Sequence, residues 1–245
     1  MSRDRTPLLA LRQVAKRFGA VEALVGVDLE IRAGEVVALV GDNGAGKSTV
    51  AKIVAGVLTP DAGLVEIDGV PVTIGSPSAA NQLGIATVFQ DLALSENLDV
   101  TQNVFLGREL RTRQGFLRDL EMERVTRQIL QTLTVRVPSV RTPLRALSGG
   151  QRQAVAIART LVGEPRVVVL DEPTAALSVA QTAEVLTHIQ RLRDMGLGVM
   201  LISHNMTDVR AVSDRIEVLR HGRNNGSFEA TASHEAILAA ITGAA

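Results

Sequence analysis

The chain of 245 residues has no cysteine, tryptophan or tyrosine, and its whole aromatic complement is five phenylalanines. Without cysteine there are no disulfides and no thiolate metal sites, which is weak support for a reducing, cytoplasmic setting. With so few rings, the core has to be built from Val, Leu, Ile and Ala. Lys and Arg together balance Asp and Glu at 26 each, so no net field recruits nucleic acid or an anionic membrane. Apolar residues make up 46%, but their runs are short and broken by charge, and none reaches spanning length. The first seven residues, Met1 to Pro7, carry charges with no apolar signal core behind them. Soluble and intracellular is the plain expectation.

Lysine is also scarce, at three residues against 23 arginines. One of the three, Lys47, falls in Gly41-Asp42-Asn43-Gly44-Ala45-Gly46-Lys47-Ser48-Thr49, which fits G-x-x-x-x-G-K-[ST]. The stretch lies between the apolar run Val36 to Val40 and a helix-patterned segment, Val50 to Leu58. A buried strand, a glycine turn and a helix start are what a phosphate loop requires. Glycines allow backbone to approach a phosphate, and the helix end adds unpaired N–H groups and about half a positive charge. A compact ammonium suits a β/γ-phosphate in a crowded loop better than a planar guanidinium. The Ser48 hydroxyl is placed for magnesium. A glycine-rich turn with a surface lysine is the plain alternative, but it needs neither the flanking strand nor the hydroxyl. Gly41, Asn43, Gly44, Ala45, Gly46, Lys47, Ser48 and Thr49 are the candidate nucleotide-binding residues.

Around this loop the patterning changes twice. Leu8 to Phe18 and Val21 to Ile31 alternate with a period near two and read as antiparallel strands. Short strands are expected at 64–67 and 70–74, a helix at 76–82 and a strand at 85–89. From Asp91 to about Pro165 strand signals largely vanish. Helices are expected over 117–133 and 151–161, with 135–147 irregular. Strands at 166–170, 198–202, 216–219 and 225–229 then alternate with helices at 179–195, 206–212 and 233–241. The expected fold is α/β: a nucleotide core with an antiparallel β subdomain (1–90 and 166–245), interrupted by a helical subdomain (91–165).

Val167 to Leu170 is an apolar strand that ends in Asp171 and Glu172. Asp171 can bind magnesium through water, and Glu172 can orient and deprotonate an attacking water. Alone, the pair could equally open a turn before Pro173. Ser148-Gly149-Gly150-Gln151 before a helix forms a second anion-binding helix start, although Ser148 also reads as a simple N-cap. One chain thus carries two phosphate-cradling helix starts but one lysine-bearing loop. Two copies in a two-fold antiparallel pair resolve this, each lending its second cradle to the other.

GDNGAGKST at 41–49, VFQD at 88–91, LSGGQRQ at 147–153, VVVLDEPT at 167–174 and LISH at 201–204, in this order and spacing, resemble the ATP-binding subunits of ABC transporters along nearly the whole chain. The resemblance implies a P-loop NTPase of ABC type with a RecA-like core, an ATPase that closes as a homodimer around two MgATP. It implies that Gln90 contacts magnesium and the water, and that His204 touches the γ-phosphate. Phe18 falls where the family places a ring on adenine, and its polar neighbours Lys16 and Arg17 favour that over a core role. His188, His221 and His234 are expected at the surface. Segments 76–85, 103–109 and 173–177 further resemble cassettes of simple-sugar importers. That implies permease subunits as partners, an extracytoplasmic sugar-binding protein indirectly, no nucleic acid, and a peripheral place on the inner face of the cell membrane. Two departures stand out. Many such subunits fuse two cassettes and this chain carries one, and Ser178 replaces the usual D-loop aspartate. The arginine-rich stretch 108–127 alternates with acids, as a solvated helix face does. The other readings are a non-transport ATPase of the same fold acting on a soluble complex, or a cassette for another small solute.

Overall fold

A computed structural model of the chain describes residues 6–244. Most of the N-terminal segment read above for a signal core lies outside the described residues. Two sheets carry the fold. The first is antiparallel, in the order β2-β1-β4-β5, from β1 (Leu9–Phe18), β2 (Val21–Ile31), β4 (Ala62–Ile67) and β5 (Val70–Val72). The second runs β10-β9-β3-β8-β7-β6, from β3 (Val36–Val40), β6 (Ile85–Val88), β7 (Val167–Asp171), β8 (Gly198–Ile202), β9 (Arg215–Arg220) and β10 (Arg223–Glu229). Its five strands from β9 to β6 are parallel, and β10 returns antiparallel to β9. The turn between them, His221-Gly222, has positive φ at both residues, as a two-residue hairpin requires.

β3 and β8 are buried along their whole length, and β7 as far as Leu170. This explains why they read as unbroken apolar runs, since a parallel sheet is covered on both faces. One apolar cluster lies between the two sheets and takes in α1 (Lys47–Val54). A second covers the opposite face of the parallel sheet with α3 (Val100–Phe105), α4 (Asp119–Thr132), α5 (Gly149–Leu161) and α6 (Val179–Asp194). A third joins β9 to α7 (Met206–Val212) and α8 (His234–Thr242). The small α2 (Pro77–Gln82) is capped by Ser76. The core is aliphatic as expected; Phe105 is its one phenylalanine among the large fully buried side chains.

Besides shifts of a few residues at element ends, the structure differs from the sequence reading in three places that bear on function. α3 was not expected, because unlike the equally short α2 it has no proline at its start to mark it. Its signal was the capping box Asp99/Gln102, with Asn103 buried behind it and bonded to Ser95, Leu98 and Asp99. α1 starts at Lys47 rather than Val50, so the lysine and Ser48 are themselves in its first turn. His188 is buried, not superficial: it lies on the inner face of α6, its Nδ1 2.8 Å from the Leu133 carbonyl. His221 and His234 are exposed as expected.

Candidate nucleotide site

The candidate residues gather where four neighbouring parallel strands end. Leu39 of β3 is level with Ile202 of β8, Ile202 with Asp171 of β7, and Leu170 of β7 with Val88 of β6. The loops leaving those ends carry Gly41 to Ser48, His204, Glu172 and Gln90. A crevice at the carboxyl ends of parallel strands is the usual ligand position in such sheets.

The phosphate loop is braced from behind. Gly222 donates to the Ala45 carbonyl at 3.1 Å, and Val25 of β2 donates to the Gly222 carbonyl at 2.7 Å. Gly46 is the N-cap of α1, with φ +105°; a Cβ there would lie 2.6 Å from Leu24 Cδ2 and 2.7 Å from the Ala23 carbonyl oxygen. α1 has no side-chain cap, and among the described residues the amides of Gly44, Gly46, Lys47, Ser48 and Thr49 donate to no acceptor in the chain. Five free N–H groups in one loop and helix start, beside a lysine, fit a polyphosphate. The Lys47 ammonium donates to the carbonyls of Gly41 and Asp42 at 2.7 and 2.9 Å. Burial lowers its pKa, and the charges of Glu172, Asp42 and Asp171 oppose that.

Asp171 is half-buried at the end of β7. Burial first and then Glu172 raise its pKa, against Lys47 and Lys52. A carboxylate under that pressure gains from a cation. Ser48, Gln90 and Asp171 offer only oxygen ligands, which suits magnesium. Glu172 has φ +52°, an uncommon conformation for a residue with a side chain, and its amide is tied to the Ile202 carbonyl at 2.9 Å. Its Oε2 lies 2.9 Å from Nδ1 of His204, whose own side chain is largely exposed. The following loop is pinned by Thr174, which donates to the buried Asp208 at 2.7 Å.

Gln90 is exposed, two residues beyond β6. Phe18 is at the end of β1 and 47% exposed, with the Lys16 ammonium 5.8 Å from its ring centre. A half-open ring on the hairpin that also supplies Leu24 to the phosphate loop can stack on a base. Ser148, Gly149, Gly150 and Gln151 are not brought to this site. Ser148 caps α5 through a capping box with Gln151, and Ser148, Gly150 and Gln151 line a separate cavity of about 390 Å³ along α6, whose lining includes no phosphate-loop residue. Ser178, the departure noted above, caps α6 through the same kind of box with Gln181. Serine keeps the capping function that an aspartate would have there. Sequence reasoning missed Arg159, whose guanidinium donates to the carbonyls of Leu92 and Ala93. A helical arginine among many arginines gives no signal of that contact.

The ABC transporter family pattern matches residues 24–175. The xylose/arabinose import ATP-binding protein of Sulfolobus acidocaldarius is 47% identical over 88% of this chain and 86% of its own. The fructose import ATP-binding protein of Rhizobium meliloti is 44% identical, covering 89% and 86%. A dimeric ATP-binding cassette bound to ADP and phosphate superposes with a TM-score of 0.76 at 27% identity, over 92% of this chain and all of that one.

Proposed function

The chain belongs to the ABC transporter family of ATP-binding proteins, and from that premise we propose that two copies close around two MgATP and drive uptake of a simple sugar through a membrane permease. One observation carries the dimeric reading. A loop with five free amides and Lys47 ends one set of strands, while the Ser148 helix start faces elsewhere on the same chain. Each copy therefore holds half a site. Sugar is the substrate class named for both relatives above. Among the described residues no helix is long and apolar enough to cross a membrane, so the permease has to supply the path. The cassette then acts at the inner membrane face, and a sugar-binding protein delivers substrate on the other side.

In the closed pair, Phe18 stacks on adenine, and Gly41 to Thr49 wrap the phosphates. Ser148 to Gln151 of the other copy cover the γ-phosphate. Ser48, Gln90 and Asp171 would hold magnesium, which when bound would supply charge neutralisation at the phosphate oxygens. Glu172 orients the attacking water and accepts its proton, and His204, already 2.9 Å from it, holds the carboxylate toward the γ-phosphate. Glu172→Gln keeps the shape and removes the base. Turnover of ATP by the purified chain is expected to fall at least about 100-fold, while a dimer accumulates in MgATP on size exclusion. Hydrolysis at the parental rate would sink the assignment of Glu172.

A further inference from the structure

Arg159 is a half-buried cation in the last turn of α5, and among the described residues no carboxylate pairs with it. Burial and the like charge of Arg108 both work against its positive form. An arginine kept there without an acid is a poorer packing choice than an apolar residue of similar length. What it does hold is backbone: Nη1 donates to the Ala93 carbonyl at 2.9 Å and Nη2 to the Leu92 carbonyl at 3.0 Å.

Those carbonyls belong to the segment that begins with Gln90. Among the described residues, the two Arg159 contacts are the only hydrogen bonds joining the backbone of residues 90–94 to another element. The one other bond is local, from the Ala93 amide to Asp91 Oδ1 at 3.1 Å. Ala93 has φ +46°, a conformation that an alanine keeps only when its surroundings impose it. Leu92 and Leu94 pack their side chains into the helical cluster, so the segment stays folded without the arginine. Its carbonyls, and with them the direction in which Gln90 leaves β6, would no longer be held.

The other end of α5 is Ser148. The two residues are eleven apart on one helix, about 16 Å at the usual rise. We infer that Arg159 is a positioning residue that sets Gln90 according to where α5 stands, so that the helix offering Ser148 to a second copy also aims Gln90 at its own copy's nucleotide. This rests on the reading of Gln90 given above. A planar fork can span two consecutive carbonyls, whereas a lysine ammonium cannot do so with the same geometry.

The test uses the full chain with Arg159→Met and Arg159→Lys. In nucleotide-free protein, thermolysin cleavage beside Leu92 and Leu94 is expected to be about tenfold faster in Arg159→Met than in the parent and less so in Arg159→Lys, with β6 and α5 uncut. The kcat for ATP is expected to fall roughly 10- to 100-fold, with KM within about twofold. Combined with Gln90→Ala, Arg159→Met should add no further loss. If Arg159→Met does not fold, Arg159→Lys carries both readouts. Unchanged cleavage at Leu92 and Leu94, or losses that multiply in the double variant, would overturn the inference while leaving Gln90 in place. Parental turnover by Gln90→Ala would instead remove the reading of Gln90, and the inference with it.

Discussion

Two glycines of the phosphate loop have positive φ and opposite surroundings, and they allow the bracing of the loop to be measured. Gly44 has φ +81° with nothing within 4 Å of a Cβ position, so Gly44→Ala carries conformational strain alone. That strain is about 1–2 kcal/mol. Gly46 has φ +105°, and its Cβ would stand 2.6 Å from Leu24 Cδ2 and 2.7 Å from the Ala23 oxygen. Leu24 is buried at 1% exposure, and the Ala23 oxygen is main chain two residues before Val25, which is bonded to Gly222, so neither can retreat cheaply. Gly46→Ala therefore adds an overpacking penalty of about 1–3 kcal/mol to the strain. For a chain of this size that excess lowers the melting temperature by roughly 2–12 °C below Gly44→Ala. Calorimetry of the parent and both variants, without nucleotide, reads the difference directly. Equal melting temperatures for the two variants would show that β2 yields to the loop, and would refute a rigid brace.

Ser178→Ala removes the cap of α6 and its capping box; about 1 kcal/mol of stability, or roughly 2–4 °C, should be lost, and Ser178→Asp should restore it. A restored melting point with unrestored ATP turnover would give position 178 a role beyond capping. Burial lowers the pKa of His188 from its ordinary 6.5, with the Leu133 bond and Glu184 opposing. The unfolded chain then takes up this proton first, so the ring's contribution is complete above about pH 6.5 and is lost as pH falls below it, by at most about 1.4 kcal/mol per pH unit. Thermal unfolding between pH 7.5 and 5.5 should thus show a smaller acid loss in His188→Gln than in the parent, and equal losses would contradict the burial argument.

Read alone, the chain's order of residues was enough for the local chemistry. A phosphate loop is contiguous, and so are its strand, its glycines and its helix start; the same holds for the carboxylates ending β7 and the serine opening α5. The aliphatic parallel strands were legible because burial on both faces removes alternation. What required the tertiary structure was every relation between distant segments. Contacts such as Arg159 to the Leu92 and Ala93 carbonyls, or Gly222 to the Ala45 carbonyl, involve main-chain atoms that every residue possesses, so residue identity does not encode them. His188 was misplaced although Val185, Ile189 and Leu192 put position 188 on the buried stripe of α6; what only the tertiary structure supplies is the partner that satisfies its ring, the carbonyl ending α4. The separation of Ser148 from Lys47 likewise depends on how α5 lies against α6, which is settled by packing around Gly150 and Gln181 and not by any single motif.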